Sequence, residues 1–461
     1  MMVISNYTER IKNNFLASFT NQINIAPLAI LRIAFGAIMF ISVFRFIAKG
    51  WVTDFYVTPK FYFTYYGFDW VKPLSEIGMF TVFYLMALAA IFVFLGLFYR
   101  IAIVTFFFCF TYVELIDKTN YLNHYYFISL ISFLLIFVPA ERYFSLDVVR
   151  NPLLKATTVP GWTISIFKLQ LFFIYFFAGI SKINYDWAID ALPLKIWLPA
   201  NSHLPIIGPL LAEEWVAYLF SWAGLLFDVF IGFILWNKRT VKLGYILVII
   251  FHLFTAFFFK IGMFPYIMIC MTIIFFPEEI HLKMINNIRS LLLIKIPSFE
   301  NISFTISGTK NRIVVGMLIF YFTIQLILPI RYLCYPGNLF WTEEGYRFSW
   351  RVMLMEKAGT IFFYVKDADT GKTYEIINAD YLTRSQENMM STQPDMILQY
   401  AHFLGKTFRE KGIKDPVVTA ESYVTLNGSG SRLFIDKTVD LSKEKESFLP
   451  KPWILSFDHQ N

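Results

Sequence analysis

Hydrophobic residues run along the first 333 positions in long blocks with few polar interruptions. Nine of these blocks approach the length that a helix needs to cross a bilayer. They cover roughly 26–48, 76–97, 100–116, 124–140, 164–183, 215–237, 241–260, 261–277 and 312–333. The third carries Glu114, and only Lys260-Ile261-Gly262 separates the seventh from the eighth. After residue 333 the long runs stop and the pattern becomes that of a soluble domain. TIFFYVKD and TYEII flank DADTGK, which predicts a hairpin turning at Asp369-Thr370-Gly371. Pro394-Asp395 opens a helix with apolar Met396, Tyr400, Phe403 and Phe408, and Gly412 ends it. SYVTL and RLFID flank Asn427-Gly428-Ser429-Gly430, a second hairpin, and SKEKESFLPKPW reads as surface coil. The expected fold is a polytopic all-α membrane domain of about nine transmembrane helices (1–333), followed by a small extracytoplasmic α+β domain rich in β-hairpins (334–461).

Composition supports this division. The chain is 57% hydrophobic, 20% aromatic and 16% charged, with 53 Phe. A soluble domain carries about 25% charged residues. From Cys334 onward there are 15 Lys and Arg against 17 Asp and Glu, which leaves 25 against 16 in the first 333 residues of the 40 and 33 in the whole chain. The positive excess therefore surrounds the apolar segments, as topology signals do. No basic stripe with interleaved aromatics suggests nucleic acid. With the N-terminus inside, the inner loops hold fourteen Lys or Arg, from Arg10 and Lys12 to Lys295, Lys310 and Arg312. The outer loops hold six: Lys49, Lys60, Lys72, Lys118, Lys195 and Lys260. Nine spans then put the C-terminal domain outside. No short apolar core with a small-residue cleavage site opens the chain, so the first span is expected to direct insertion.

The soluble catalytic signatures (Walker loop, GxGxxG after a strand, HExxH, GxSxG) do not occur, and six scattered His give no zinc spacing. Cys109, Cys270 and Cys334 form no CxxC pair. What remains is polar residues at membrane depth, which are costly and often functional. Three groups stand out: DKTNYLNHYYF with Asp117, Lys118, Asn120, Asn123 and His124; AGISKINYDW with Lys182; and FHLFTAFFFKIGMFPY with His252. All lie towards the expected outer face, beneath the soluble domain. Each also has a structural alternative. Lys182 could snorkel or pair with Asp186. Against that, it sits at an outer helix end, where topology asks for no cation, and Ala178 and Gly179 leave room beside it. His252 could be a packing residue, Asn123 could cap the fourth helix, and Asp228 could pair with a neighbouring helix.

At these residues the chain resembles the vitamin K-dependent γ-glutamyl carboxylase family. The matching stretches are LRIAFGAIMF, GLFYRIAIV, DKTNYLNHYYF, YFFAGISKINYDW, FHLFTAFFFKIGMFPY and GYRFSWRVML, in family order. The resemblance implies a membrane enzyme that uses vitamin K hydroquinone (phylloquinol or menaquinol), O2 and CO2, and no metal, to carboxylate peptide or protein glutamate. Lys182 corresponds to the base that activates the hydroquinone. Asn123 and His124 correspond to groups that hold a quinone oxygen or oxyanion, and His252, Ala178 and Gly179 to the cofactor pocket. Arg347, Trp350 and Arg351 fall in the outer-domain motif and are expected at the substrate. A side-chain amine cannot itself remove a glutamate γ-proton. In the family mechanism it deprotonates the hydroquinone, O2 then yields a strongly basic alkoxide that leaves as the epoxide, and CO2 traps the carbanion. Water must be excluded throughout. The single outer cysteine, Cys334, leaves the vertebrate enzymes' interdomain disulfide without a counterpart, so recognition of a propeptide-tagged substrate does not carry over. Two rival functions are a quinol epoxidase that carboxylates nothing, and a non-enzymatic transporter or assembly factor, which needs a continuous polar path. The Phe, Ile, Lys and Asn bias suggests a bacterial inner membrane, with an endoplasmic-reticulum location if the source is animal.

Overall fold

Among the described residues seven helices are long and apolar enough to cross a membrane. The computed structural model describes residues 21–259, 261–293, 302–305 and 308–457. Arg10, Lys12, Lys260 and Lys295 of the charge tally lie outside them. The long helices are α1 (Ala26–Ala48), α2 (Glu76–Leu95), α3 (Tyr99–Ile116), α5 (Trp162–Ser181), α6 (Glu214–Trp236), α7 (Val241–Phe258) and α10 (Gly308–Ile330). Their outward residues are what lipid accepts: Phe44, Ile101, Phe108, Phe230 and Phe320 are all exposed.

The fourth and eighth expected spans, among the shortest of the nine apolar runs, form short helices. Helix α4 is Asn123–Phe137, 15 residues. At 1.5 Å per residue that is about 22 Å, against about 30 Å of hydrocarbon. Val138 precedes Pro139 and is already extended, which ends the helix. Helix α8 (Phe264–Thr272) begins at Pro265 in its first turn and passes through a 3-10 turn, Ile273–Phe275, to Pro277. Prolines cut both apolar runs into partial spans. The amphipathic α9 (Glu278–Leu291) follows. A short antiparallel pair, β1 (Gln22–Asn24) with β2 (Thr158–Pro160), joins the start of α1 to the start of α5. Arg32, fully buried in α1, donates to the carbonyls of Val93, Phe94 and Phe144 and ties α1 to the turn after α2.

The C-terminal region contains both predicted hairpins. Strand β3 (Lys357–Asp367) pairs antiparallel with β4 (Thr373–Ile376) and with β5 (Pro416–Leu426), which pairs with β6 (Arg432–Leu433). The sheet order is β4-β3-β5-β6. Ile361, Phe363 and Val365 alternate inward and lie opposite Ser422, Ala420 and Val418. Helix α11 (Arg384–Met390) precedes α12 (Pro394–Glu410), which buries Met396, Tyr400, Leu404 and Phe408. Gly412, at φ +99°, takes a conformation a Cβ disfavours just beyond α12. The tail is only partly the surface coil expected. Trp453 is buried, Ile454 bridges Ile435, and Glu446 accepts a hydrogen bond from Gln399.

This outer core does not stop at the membrane domain. Trp187, Leu194, Ala217, Leu225 and Phe258 from the bundle pack in one cluster with Trp341, Phe363 and Tyr400. The C-terminal domain thus roofs the end of the bundle where the candidate residues lie.

Candidate active site

Lys182 caps the C-terminus of α5. Its Nζ lies 2.7 Å from Asp228 Oδ2 on α6 and 3.3 Å from the carbonyl of Ala178. Both charged side chains are buried, at 6% and 7% exposure. The amine also lies 5.2 Å from the centre of the Trp187 ring. Lys182 therefore does not snorkel to water. Asp186 is not its partner either, because Asp186 accepts a hydrogen bond from Asn427 of the second hairpin turn.

Gly179 makes this pairing possible. An added Cβ there would lie 2.6 Å from the Val229 backbone nitrogen and 2.9 Å from the Asp228 carbonyl carbon. The room expected beside the lysine is thus taken by the backbone of α6, which glycine lets close enough to bring Asp228 to the amine. Gly179→Ala should force the helices apart and destabilise the protein by about 1–3 kcal/mol. A lower melting temperature in detergent and a loss of turnover would register this; an unchanged melt would mean that the helices have slack at this point.

The pair opens onto a cavity of about 370 Å³. Tyr175, Ala178, Lys182, Asp228 and His252 line it, among aromatic and aliphatic walls. Tyr175, Ala178 and Lys182 recur at intervals of three and four on one face of α5. The Tyr175 hydroxyl and His252 Nε2 share a hydrogen bond of 3.0 Å, and His252 Nδ1 is buried without a partner among the described residues. An apolar chamber with one buried ion pair and one unsatisfied ring nitrogen suits an aromatic diol, whose hydroxyls can both give and accept hydrogen bonds.

Asn123 and His124 lie elsewhere, on a larger cavity of about 520 Å³. Asn123 is the first residue of α4 rather than its cap, which is Leu122. Its Nδ2 donates to the Arg351 carbonyl at 2.8 Å and its Oδ1 accepts from the Tyr121 hydroxyl. Asn123 therefore fastens the outer domain to the bundle. His124 is buried and makes no hydrogen bond among the described residues. Ile261, Phe264, Val352 and Met353 line both cavities. The Phe264 ring centre is 5.8 Å from the ring centres of both His124 and His252. The two chambers thus share one thin wall.

Two of the four wall residues belong to the outer domain. The segment carrying them is strained: Phe348, Trp350 and Met353 have φ of 61°, 59° and 53°. Each such residue costs about 1–3 kcal/mol and persists only where its surroundings enforce it. The enforcing contacts are visible. Trp350 is buried and stacks on Tyr126 at 5.0 Å, and the Phe348 N–H donates to the Tyr121 hydroxyl. Arg347 meets Asp395 at 2.7 Å, and Arg351 lies over the Tyr332 ring while lining a separate cavity of about 270 Å³ with Asp186. Of the three motif residues, Arg351 lines a cavity, Arg347 is tied to Asp395 and Trp350 is packed in the interior.

The DKT stretch is part of the same fastening. Lys118 Nζ lies 2.7 Å from Asp395 Oδ2, and Gln386 on α11 donates to Asp117 Oδ2 at 2.9 Å. Burial pushes the Lys118 ammonium below its ordinary value, against the opposing pull of Asp395. Burial also acts to raise the Asp395 carboxyl, but Arg347 and Lys118 together outweigh it and hold that group well below the usual carboxylate range.

Residues 20–279 match the family described as the HTTM domain, and residues 310–460 match the vitamin K-dependent gamma-carboxylase lumenal domain. No solved structure matches the chain. The two regions follow one another as bundle and roof, with the buried amine in the first and two of the four residues of the shared wall in the second. This integral membrane protein belongs to the vitamin K-dependent gamma-glutamyl carboxylase family.

Proposed function

We propose that the protein carboxylates peptidyl glutamate to γ-carboxyglutamate, coupled to oxidation of vitamin K hydroquinone to its epoxide. The buried Lys182–Asp228 pair, opening onto an apolar chamber beside His252, is the observation that supports this reading most directly. When bound, reduced vitamin K supplies with dioxygen the strong base that no side chain can be. The residues of this chain bind it, keep water away and handle one proton. The apolar walls exclude water and admit a prenylated ring from lipid. Lys182 and Asp228 hold one proton between Nζ and Oδ2, and the site left free accepts the hydroquinone hydroxyl proton. His252, held through Nε2 by Tyr175, offers Nδ1 to the ring's other oxygen. His124, across the Phe264 wall, serves the glutamate side of the reaction. On this reading CO2 is the second substrate, and the outer domain faces the periplasm of a bacterial inner membrane, or the endoplasmic-reticulum lumen in an animal cell.

Labelled bicarbonate, a glutamate-containing peptide and reduced vitamin K test the proposal. Label in the peptide together with epoxide supports it. Epoxide without label favours a quinol epoxidase, and neither product rules out both. His124→Ala should lower carboxylation about 10–1000-fold, as for loss of one positioned donor to a developing charge. Expression and melting temperature should change little. Full activity in His124→Ala would return the residue to packing.

A further inference from the structure

We propose that Arg45 is the carboxylate-recognition residue of the larger chamber and selects a glutamyl side chain over its amide. The assignment of the ligand rests on the carboxylase reading; the anionic character of the site does not.

Arg45 stands in the last turn of α1 and lines the 520 Å³ cavity with Asn120, Asn123 and His124. Among the described residues no Asp or Glu lines that cavity, and Arg45 is its one charged residue. Among the described residues the guanidinium makes no ion pair and donates to no side chain. It lies over the Trp51 ring, 5.0 Å from its centre, and Lys49 Nζ lies at the same distance from that ring. Of the other arginines near this end of the bundle, Arg347 pairs with Asp395, Arg331 donates to the Arg347 carbonyl, and Arg351, on the face of Tyr332, lines a different cavity. Arg45 is thus the arginine that brings donors to this chamber.

A guanidinium on an aromatic face keeps its planar fork available and binds a carboxylate through two parallel hydrogen bonds. The amide of glutamine cannot match this, because half of its edge donates. The chamber shares the Phe264 wall with the Lys182 chamber, so a carboxylate held at Arg45 presents its methylenes towards that wall. The same cation would also stabilise negative charge that spreads onto the carboxylate as the γ-carbon gives up its proton.

The test measures binding of two short peptides, one with glutamate and one with glutamine at the same position, to the full-length protein in detergent. Wild type should prefer the glutamate peptide, and Arg45→Gln should reduce that preference about 10- to 100-fold, the range for a lost charge-assisted pair. In turnover the change should fall mainly on KM for the glutamate peptide. Arg45→Lys, which keeps the charge and loses the fork, should lie between the two; it also serves if Arg45→Gln does not fold. An unchanged preference in either variant, or no preference in wild type, overturns the assignment. Failure of the carboxylase reading would look different: wild type would still prefer the glutamate peptide through Arg45 but would incorporate no label.

Discussion

Lys182→Arg is expected to abolish both epoxide and carboxyglutamate formation, by about 10²–10⁴-fold, the contribution of a positioned acid–base group. The substitution keeps the cation and its contact with Asp228, so the fold should survive. It removes the one feature the chemistry needs, because a guanidinium does not give up its proton at any usable pH. Lys182→Met should be equally inactive for a different reason, since it leaves Asp228 buried without its partner. A small added amine should partly restore Lys182→Met by entering the vacated space. Product assays on the two variants decide the matter. Near-normal epoxidation by Lys182→Arg would reduce the pair to a structural tie.

The second large effect is expected on stability. Asp395→Ala removes the carboxylate shared by Lys118 and Arg347. The Lys118 side chain is 2% exposed and would lose the partner that opposes the cost of burying its charge. Breaking a buried pair in this way costs about 3–5 kcal/mol. The expected result is a lower melting temperature and faster proteolysis of the outer domain. The pH dependence has a definite sign. The Asp395 carboxyl is held below the value it has in the unfolded chain, about 4. Its contribution is therefore complete above that value and is lost only as pH falls towards the lower folded value. The gap between wild type and Asp395→Ala should be constant from pH 5 to 8 and narrow below pH 4. A gap that closes near neutrality would mean that another group carries the clasp.

Most of the architecture could be read from the chain because the relevant signals are local. Span lengths, the turn at Asp369-Thr370-Gly371, and Pro394 opening a helix each depend on a few adjacent residues. The two partial spans already stand out as short apolar runs; what hydropathy does not register is where Pro139 stops the one helix and Pro265 starts the other. The amine was legible from its place at an outer helix end; its partner was legible only as a carboxylate in a span. That Asp228 meets Lys182, and not Asp186, depends on the close approach of two helices at Gly179, which is a tertiary fact. The separation of His124 from His252 by Phe264 was invisible for the same reason. So was Arg45, which in the sequence is one more basic residue near a helix end.

Val352 and Met353 give the shared wall a consequence for how such a protein can change. They come from the soluble half, yet they border both the reactive chamber and its neighbour. The membrane half alone therefore lacks two panels of the Lys182 chamber. Substrate choice and water-tightness cannot be exchanged separately: a foreign outer domain brings with it a new partition between the compartments. A hybrid chain must be matched at residues 352 and 353 before its peptide specificity has any meaning.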